Sequence, residues 1–249
     1  MKSGAERLSS TIVHHNRRIA YEPQAGQAPG LMFLGGYASD MTGTKATFLA
    51  ERCATAGHAF LRFDYSGHGQ SEGRFAEGCI GDWYDDALAV FDQCTDGQQI
   101  LIGSSMGGWL ALKLACERPE RVKAIIGIAA APDFTEDLVW NQLTSSEQEQ
   151  MQREGSLSGK GGDPLTYSYK LVLEGRQHLL LRVSLPIACP VILLQGQKDE
   201  AVPWQTAQRI RDNLPNAPVT VKLIPDGDHR LSAPEHLALL WESVVSLSV

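Results

Sequence analysis

The sequence predicts an α/β fold, with a mostly parallel sheet and helices on both of its faces. Three observations carry this. Short apolar runs alternate with helical patterns from about residue 30 to the carboxyl end, as crossover-connected parallel strands require. One of those runs leads through a Gly-x-Ser-x-Gly pentapeptide straight into a helical stretch. The length of 249 residues suits one large α/β unit with a core able to bury most of its apolar surface.

The elements follow in order. Thr11–Val13 and Arg18–Tyr21 read as a hairpin around His14–Arg17, adding antiparallel strands at one sheet edge. Leu31–Leu34 is a strand, Thr44–Ala56 a helix, Ala59–Phe63 a strand, and Trp83–Cys94 a helix. Ile100–Ile102 precedes the pentapeptide, whose helix ends near Arg118-Pro119. Val122–Ala129 is a buried strand rich in isoleucine. Pro190–Leu194 is the next strand, followed by a helix from Pro203 to about Leu214 and a last strand at Val219–Ile224. Ser232-Ala233-Pro234-Glu235 resembles a capping box that starts a final helix.

Residues 133–185 break this rhythm and contain no convincing strand. They hold amphipathic pieces at Phe134–Leu143, after the capping-box pattern of Thr144 and Glu147, and at Tyr167–Leu181. Gly155–Gly162 between the last two reads as mobile. A helical insertion of this length between two sheet strands reads as a cap over the carboxyl edge of a single domain spanning residues 1–249.

The pentapeptide Gly103-Ser104-Ser105-Met106-Gly107 has the form of the nucleophile elbow of α/β-hydrolases. The turn is so tight that residues two positions from the central one must be small. Ser105 would project its hydroxyl from the carboxyl edge of the sheet as nucleophile. In this fold class the base follows the last strand, which selects His229 in Pro225–Arg230. The acid follows the strand before, which selects Asp199; Glu200 and Asp133 compete with it. Asp226 and Asp228 read as loop-shaping. The oxyanion donors would be the backbone N–H of Met106, directly after the nucleophile, and that of Tyr37 in the Gly35–Asp40 loop. His68 lies in a Gly-rich loop whose spacing fits neither nucleotide-binding motif, so it reads as structural. The remaining histidines show no spacing of metal ligands. Trp109, Trp140 and Tyr37 could line an acyl pocket or pack in the core.

Composition narrows the partners. A net charge of −7 with no basic cluster argues against nucleic acid or an anionic membrane as the main partner. No apolar run reaches membrane-spanning length. The amino-terminal residues lack the apolar core of a secretory signal and carry Glu6, and the five scattered cysteines form no Cys-x-x-Cys pair. Together these read as a reduced, cytoplasmic protein with cysteines in its core. No metal or organic cofactor is implied; the partner is a small-molecule or protein-linked acyl substrate.

Several further segments recur in one order in a known family: Gly36-Tyr37, Thr42–Ala46, Arg62–Gly67, Gly103–Trp109, Val202–Trp204 and Asp228–Arg230. The chain resembles the animal mitochondrial α/β-hydrolases described as palmitoyl-protein thioesterases and acyl-glucuronide esterases. That resemblance implies an eight-stranded sheet, a short helical cap and a triad of Ser105, Asp199 and His229. It is weakest around Gly155–Asp163, in the cap that sets acyl preference. The expectation is a serine hydrolase of acyl esters or thioesters. Carbon–carbon bond or lactone hydrolysis on the same triad, or a low-turnover ligand receptor, stays open.

Overall fold

The computed structural model describes residues 9–158 and 165–248. The first strands, β1 (Ser10–His14) and β2 (Arg17–Gln24), form the expected edge hairpin. Its two turn residues, His15 and Asn16, both take positive φ, the requirement of a tight two-residue hairpin turn. Then follow β3 (Gln27–Leu34), α1 (Thr44–Ala56), β4 (His58–Phe63), α2 (Ile80–Cys94), β5 (Gln99–Ser104), α3 (Met106–Glu117) and β6 (Val122–Ile128). After an insertion come β9 (Val191–Gly196), α6 (Gln205–Asp212), β10 (Val219–Ile224) and α7 (Pro234–Leu247).

Eight strands make one sheet in the order β1-β2-β4-β3-β5-β6-β9-β10. β1 and β2 pair antiparallel, as do β2 and β4; every other pair is parallel. Alternate residues of the central strands feed two cores, because successive side chains of a strand point to opposite faces. Leu101, Ile125 and Leu193 pack with Trp83, Val90 and Leu110 on the face of α2 and α3. Ile100, Ile126 and Ile192 pack with Leu49, Cys53, Leu240 and Val244 on the face of α1 and α7. Cys53 and Cys79 are buried, and all five cysteines are free thiols. Burial pushes the Cys53 thiol up to about 12.

The insertion differs from expectation. A turn of π-helix at Thr135–Val139 and a 3-10 turn at Trp140–Gln142 replace a regular first helix. α4 (Ser145–Glu154) starts on the expected capping box: Glu147 N–H donates to Thr144 Oγ1 and Thr144 N–H to Glu147 Oε2. Two strands then appear where none was expected, β7 (Ser156–Ser158) paired antiparallel with β8 (Thr166–Ser168). Three residues each are too few to show a period of two, and Gly155, left-handed at φ 80°, turns the chain into them. β8 also takes the start of the expected Tyr167–Leu181 helix, which is reduced to α5 (Tyr169–Gly175) and a 3-10 turn at Arg176–His178. The mobility expected for Gly155–Gly162 falls in part on residues 159–162, outside the described residues.

The start of α7 is also corrected. Its N-cap is Ala233, which has no side chain able to cap, while Ser232 Oγ donates to the Arg230 carbonyl instead. Pro234 holds the first helical position, where its missing N–H costs nothing.

Candidate active site

Ser105 stands between the last residue of β5 and the first of α3, at φ 53° and ψ −117°. Such left-handed geometry at a non-glycine residue costs on the order of 1–3 kcal/mol and persists only where the surroundings enforce it. Here Ser105 N–H donates to Ile128, and its carbonyl accepts from Gly108 and Ala131. The glycines are required by contact: a Cβ on Gly103 would stand 2.3 Å from the Gly107 carbonyl oxygen.

His229 lies in the loop between β10 and α7, and Asp199 in the loop after β9. The two loops touch: Lys198 N–H donates to the Gly227 carbonyl at 3.0 Å, and a Cβ on Gly196 would meet that oxygen at 2.2 Å. His229 Nδ1 is 2.8 Å from Asp199 Oδ2, and its Nε2 is 3.2 Å from Ser105 Oγ. A carboxylate only accepts, so the Nδ1 proton faces Asp199 and Nε2 is left to accept from the serine hydroxyl.

The Asp199 side chain is fully buried. Burial pushes its carboxyl up, but His229, the Val202 N–H and Gln195 together outweigh that and hold it below the usual range. Oδ1 accepts from the N–H groups of Ala201 and Val202 at 2.9 and 2.8 Å. Gln195 Nε2 donates to Oδ2 at 3.0 Å and to the Val202 carbonyl. Gln195 was not anticipated. Its signal was a polar residue closing the wholly buried run Val191–Gly196.

The competitors stand elsewhere. Asp133 is buried at positive φ and accepts from Leu180 and Leu181 N–H at 2.7 and 2.9 Å, holding the insertion's return. Glu200 is exposed. Asp228 accepts from Leu231 N–H, and Asp226 pairs with Lys198 at the surface. His68 is buried among Tyr65, Phe75 and Trp83, with Nδ1 at the Ser66 carbonyl.

Met106 opens α3, where the first N–H groups have no partner within the helix. Gly36 passes over the elbow: a Cβ there would lie 3.4 Å from Ser105 Cβ. Tyr37 follows directly, and its side chain reaches the insertion. Its hydroxyl donates to the Thr166 carbonyl at 2.7 Å, and its ring meets Phe75, Trp83, Phe134 and Tyr167. Trp109 is fully buried, edge-on to Phe134, with its indole N–H on the His178 carbonyl, so it packs rather than lines an open surface. The Trp140 ring is covered by Arg176 and flanked by Tyr169. Among the described residues, no three His, Cys, Asp or Glu side chains converge as metal ligands, and no helix is long and apolar enough to cross a membrane.

Comparison with known proteins agrees with this architecture. The family described as Serine aminopeptidase, S33, matches residues 30–156. The human "Palmitoyl-protein thioesterase ABHD10, mitochondrial" is 41% identical over 233 residues, covering 92% of this chain and 76% of that protein. A "Pimeloyl-[acyl-carrier protein] methyl ester esterase" of Nitrosomonas europaea is 25% identical over 255 residues, covering 88% of this chain and 96% of its own. The structure of "Alpha/beta hydrolase domain-containing protein 10 from mouse" superposes with a TM-score of 0.91 at 38% identity, covering 96% of this chain and 97% of that one.

The expectation of a cytoplasmic protein is corrected by these relatives, since the human protein is mitochondrial by name. Sheet order, elbow geometry and sequence identity along nearly the whole chain lead to one assignment: the chain is a hydrolase and belongs to the α/β-hydrolase family that includes the mitochondrial ABHD10 thioesterases.

Proposed function

We propose that this hydrolase cleaves acyl esters or thioesters through an acyl-enzyme on Ser105. The observation that carries the reading is the unbroken relay from Ser105 Oγ to His229 Nε2, and from His229 Nδ1 to Asp199 Oδ2. His229 takes the serine proton as Oγ attacks the acyl carbon. Asp199 fixes the imidazole tautomer and stabilises the imidazolium. The oxyanion of the tetrahedral intermediate is received by the N–H groups of Met106 and Tyr37. His229 then protonates the departing alcohol or thiol, and in the second half-reaction draws a proton from the water that attacks the acyl-enzyme.

The insertion 133–185 serves as a cap in this reading, since Tyr37 carries an oxyanion donor on its backbone and a cap contact on its side chain. The thioesterase and esterase names of the relatives support an acyl substrate.

An acyl-chain series of p-nitrophenyl esters beside acyl thioesters, run with a fluorophosphonate probe on wild type and Ser105→Ala, tests the proposal. Wild type should label and turn over; Ser105→Ala should do neither. Labelling or turnover that persists in Ser105→Ala would remove Ser105 as nucleophile.

A further inference from the structure

Lys45 has no part in the chemistry described so far, and its position is adverse on two counts. It is the second residue of α1, whose first turn contains no acidic side chain, so its charge opposes the positive end of the helix dipole. It is also half-buried. Burial lowers its ammonium to about 8, with Asp228 drawing the charge in and Arg230 opposing it. A lysine that breaks two local rules at once, beside a reactive centre, calls for a compensating contact.

That contact is a hydrogen bond from Lys45 Nζ to the main-chain carbonyl of Arg230, at 2.6 Å. Arg230 directly follows His229. Other ties on this loop are Lys198 N–H to Gly227, Leu231 N–H to Asp228, and Ser232 Oγ to Arg230. Lys45 reaches it from α1, which packs on the same face of the sheet as α7 but is remote from this loop in chain order. α1 follows β3 and the Gly35–Asp40 loop, whereas the base loop follows β10, and β5, β6 and β9 lie between those strands in the sheet. The bond therefore joins α1, the helix that follows the loop carrying one proposed oxyanion donor, to the loop that carries the proposed base.

We propose that Lys45 is a positioning residue for His229, holding the base loop at hydrogen-bond distance from Ser105 through the Arg230 carbonyl. This rests on the serine-hydrolase reading above. The contact between His229 Nε2 and Ser105 Oγ is 3.2 Å, at the long end of a working hydrogen bond, so a small retreat of the loop breaks it. The bond from Lys45 is charge-assisted and thus stronger than a neutral amide contact would be.

The test compares wild type, Lys45→Met, Lys45→Arg and Ser105→Ala on p-nitrophenyl butyrate, with fluorophosphonate labelling rates and thermal melts. In Lys45→Met, kcat should fall about ten- to hundredfold, the effect of misplacing a catalytic group by a fraction of an ångström to an ångström. KM should be unchanged, labelling should slow in step with kcat, and Tm should hold, because the hydrogen bond is lost together with a half-buried cation that the helix dipole disfavours. Lys45→Arg, which can donate to the same carbonyl, should recover part of kcat. A wild-type kcat in Lys45→Met overturns the proposal. So does a loss of kcat that follows a fall in Tm and is not recovered by arginine. Turnover in Ser105→Ala overturns the serine reading itself, a result separable from either outcome at Lys45.

Discussion

The rings of Tyr37 and Tyr167 stack 5.4 Å apart at 18°, so the loop beside the nucleophile and the short hairpin of the insertion share one aromatic contact. The Tyr37 hydroxyl adds a hydrogen bond to the Thr166 carbonyl, the residue next to its stacking partner. Tyr37→Phe keeps the stack and the backbone N–H and removes that bond. Stability should fall by about 0.5–1.5 kcal/mol, the net value of one such hydrogen bond. The kcat on a short acyl ester should be preserved, because the proposed oxyanion donor is main chain. Thermal melts beside steady-state kinetics read both. A large kcat loss on the short ester at unchanged stability would place the hydroxyl itself in the chemistry.

Gly107 and Leu34 impose a second relationship. A Cβ on Gly107 would stand 2.1 Å from the Leu34 carbonyl oxygen and 2.6 Å from that of Gly35, both main-chain atoms. Neither can move without breaking the end of β3. Gly107→Ala should therefore cost about 3 kcal/mol or more, or fail to give soluble protein. Gly43→Ala is the control: its Cβ would sit at an ordinary 3.4 Å from Asp40 O, at φ −60°. As a change at a helix N-cap it should cost about 1 kcal/mol or less. Urea unfolding of the pair measures the contrast, and equal losses would show that the elbow relaxes more freely than its packing implies.

The parts of this molecule that were legible in the sequence are those with a local cause. The bounds of α1 could be read because Gly57, left-handed at φ 76°, ends it, and β10 because Val219–Ile224 is β-branched or apolar at every position but Lys222. Ser105, Asp199 and His229 lie 30 to 124 residues apart, yet a single topological rule, loops at the carboxyl edge, nominates all three, and their side chains converge. What escaped has a nonlocal cause. β7 and β8 exist through pairing with each other, which three-residue segments cannot announce. Gln195 and Lys45 act through partners that only the folded chain supplies, Asp199 in one case and the Arg230 carbonyl 185 residues away in the other.

Asp199 and Asp133 are both carboxylates that accept pairs of main-chain N–H groups near the sheet edge, and substitution separates them. In Asp199→Asn the amide can present its NH₂ to Nδ1 and force the proton onto Nε2, which then cannot accept from Ser105. The kcat should fall about 10³- to 10⁴-fold with the fold intact. Asp133→Asn should lower stability and leave kcat largely in place, since its partners are Leu180 and Leu181 of the insertion. The reverse pattern would exchange the two assignments. Acid adds an independent check. The folded Asp199 carboxyl titrates below its unfolded value of about 3.9, so the stability it contributes is complete above that pH and is lost as pH falls through the folded value. The stability gap between wild type and Asp199→Asn should close as pH falls below about 4. Urea unfolding from about pH 5 down to about pH 2 measures it, and a gap that stays fully open at the acid end would contradict the charge assigned to Asp199.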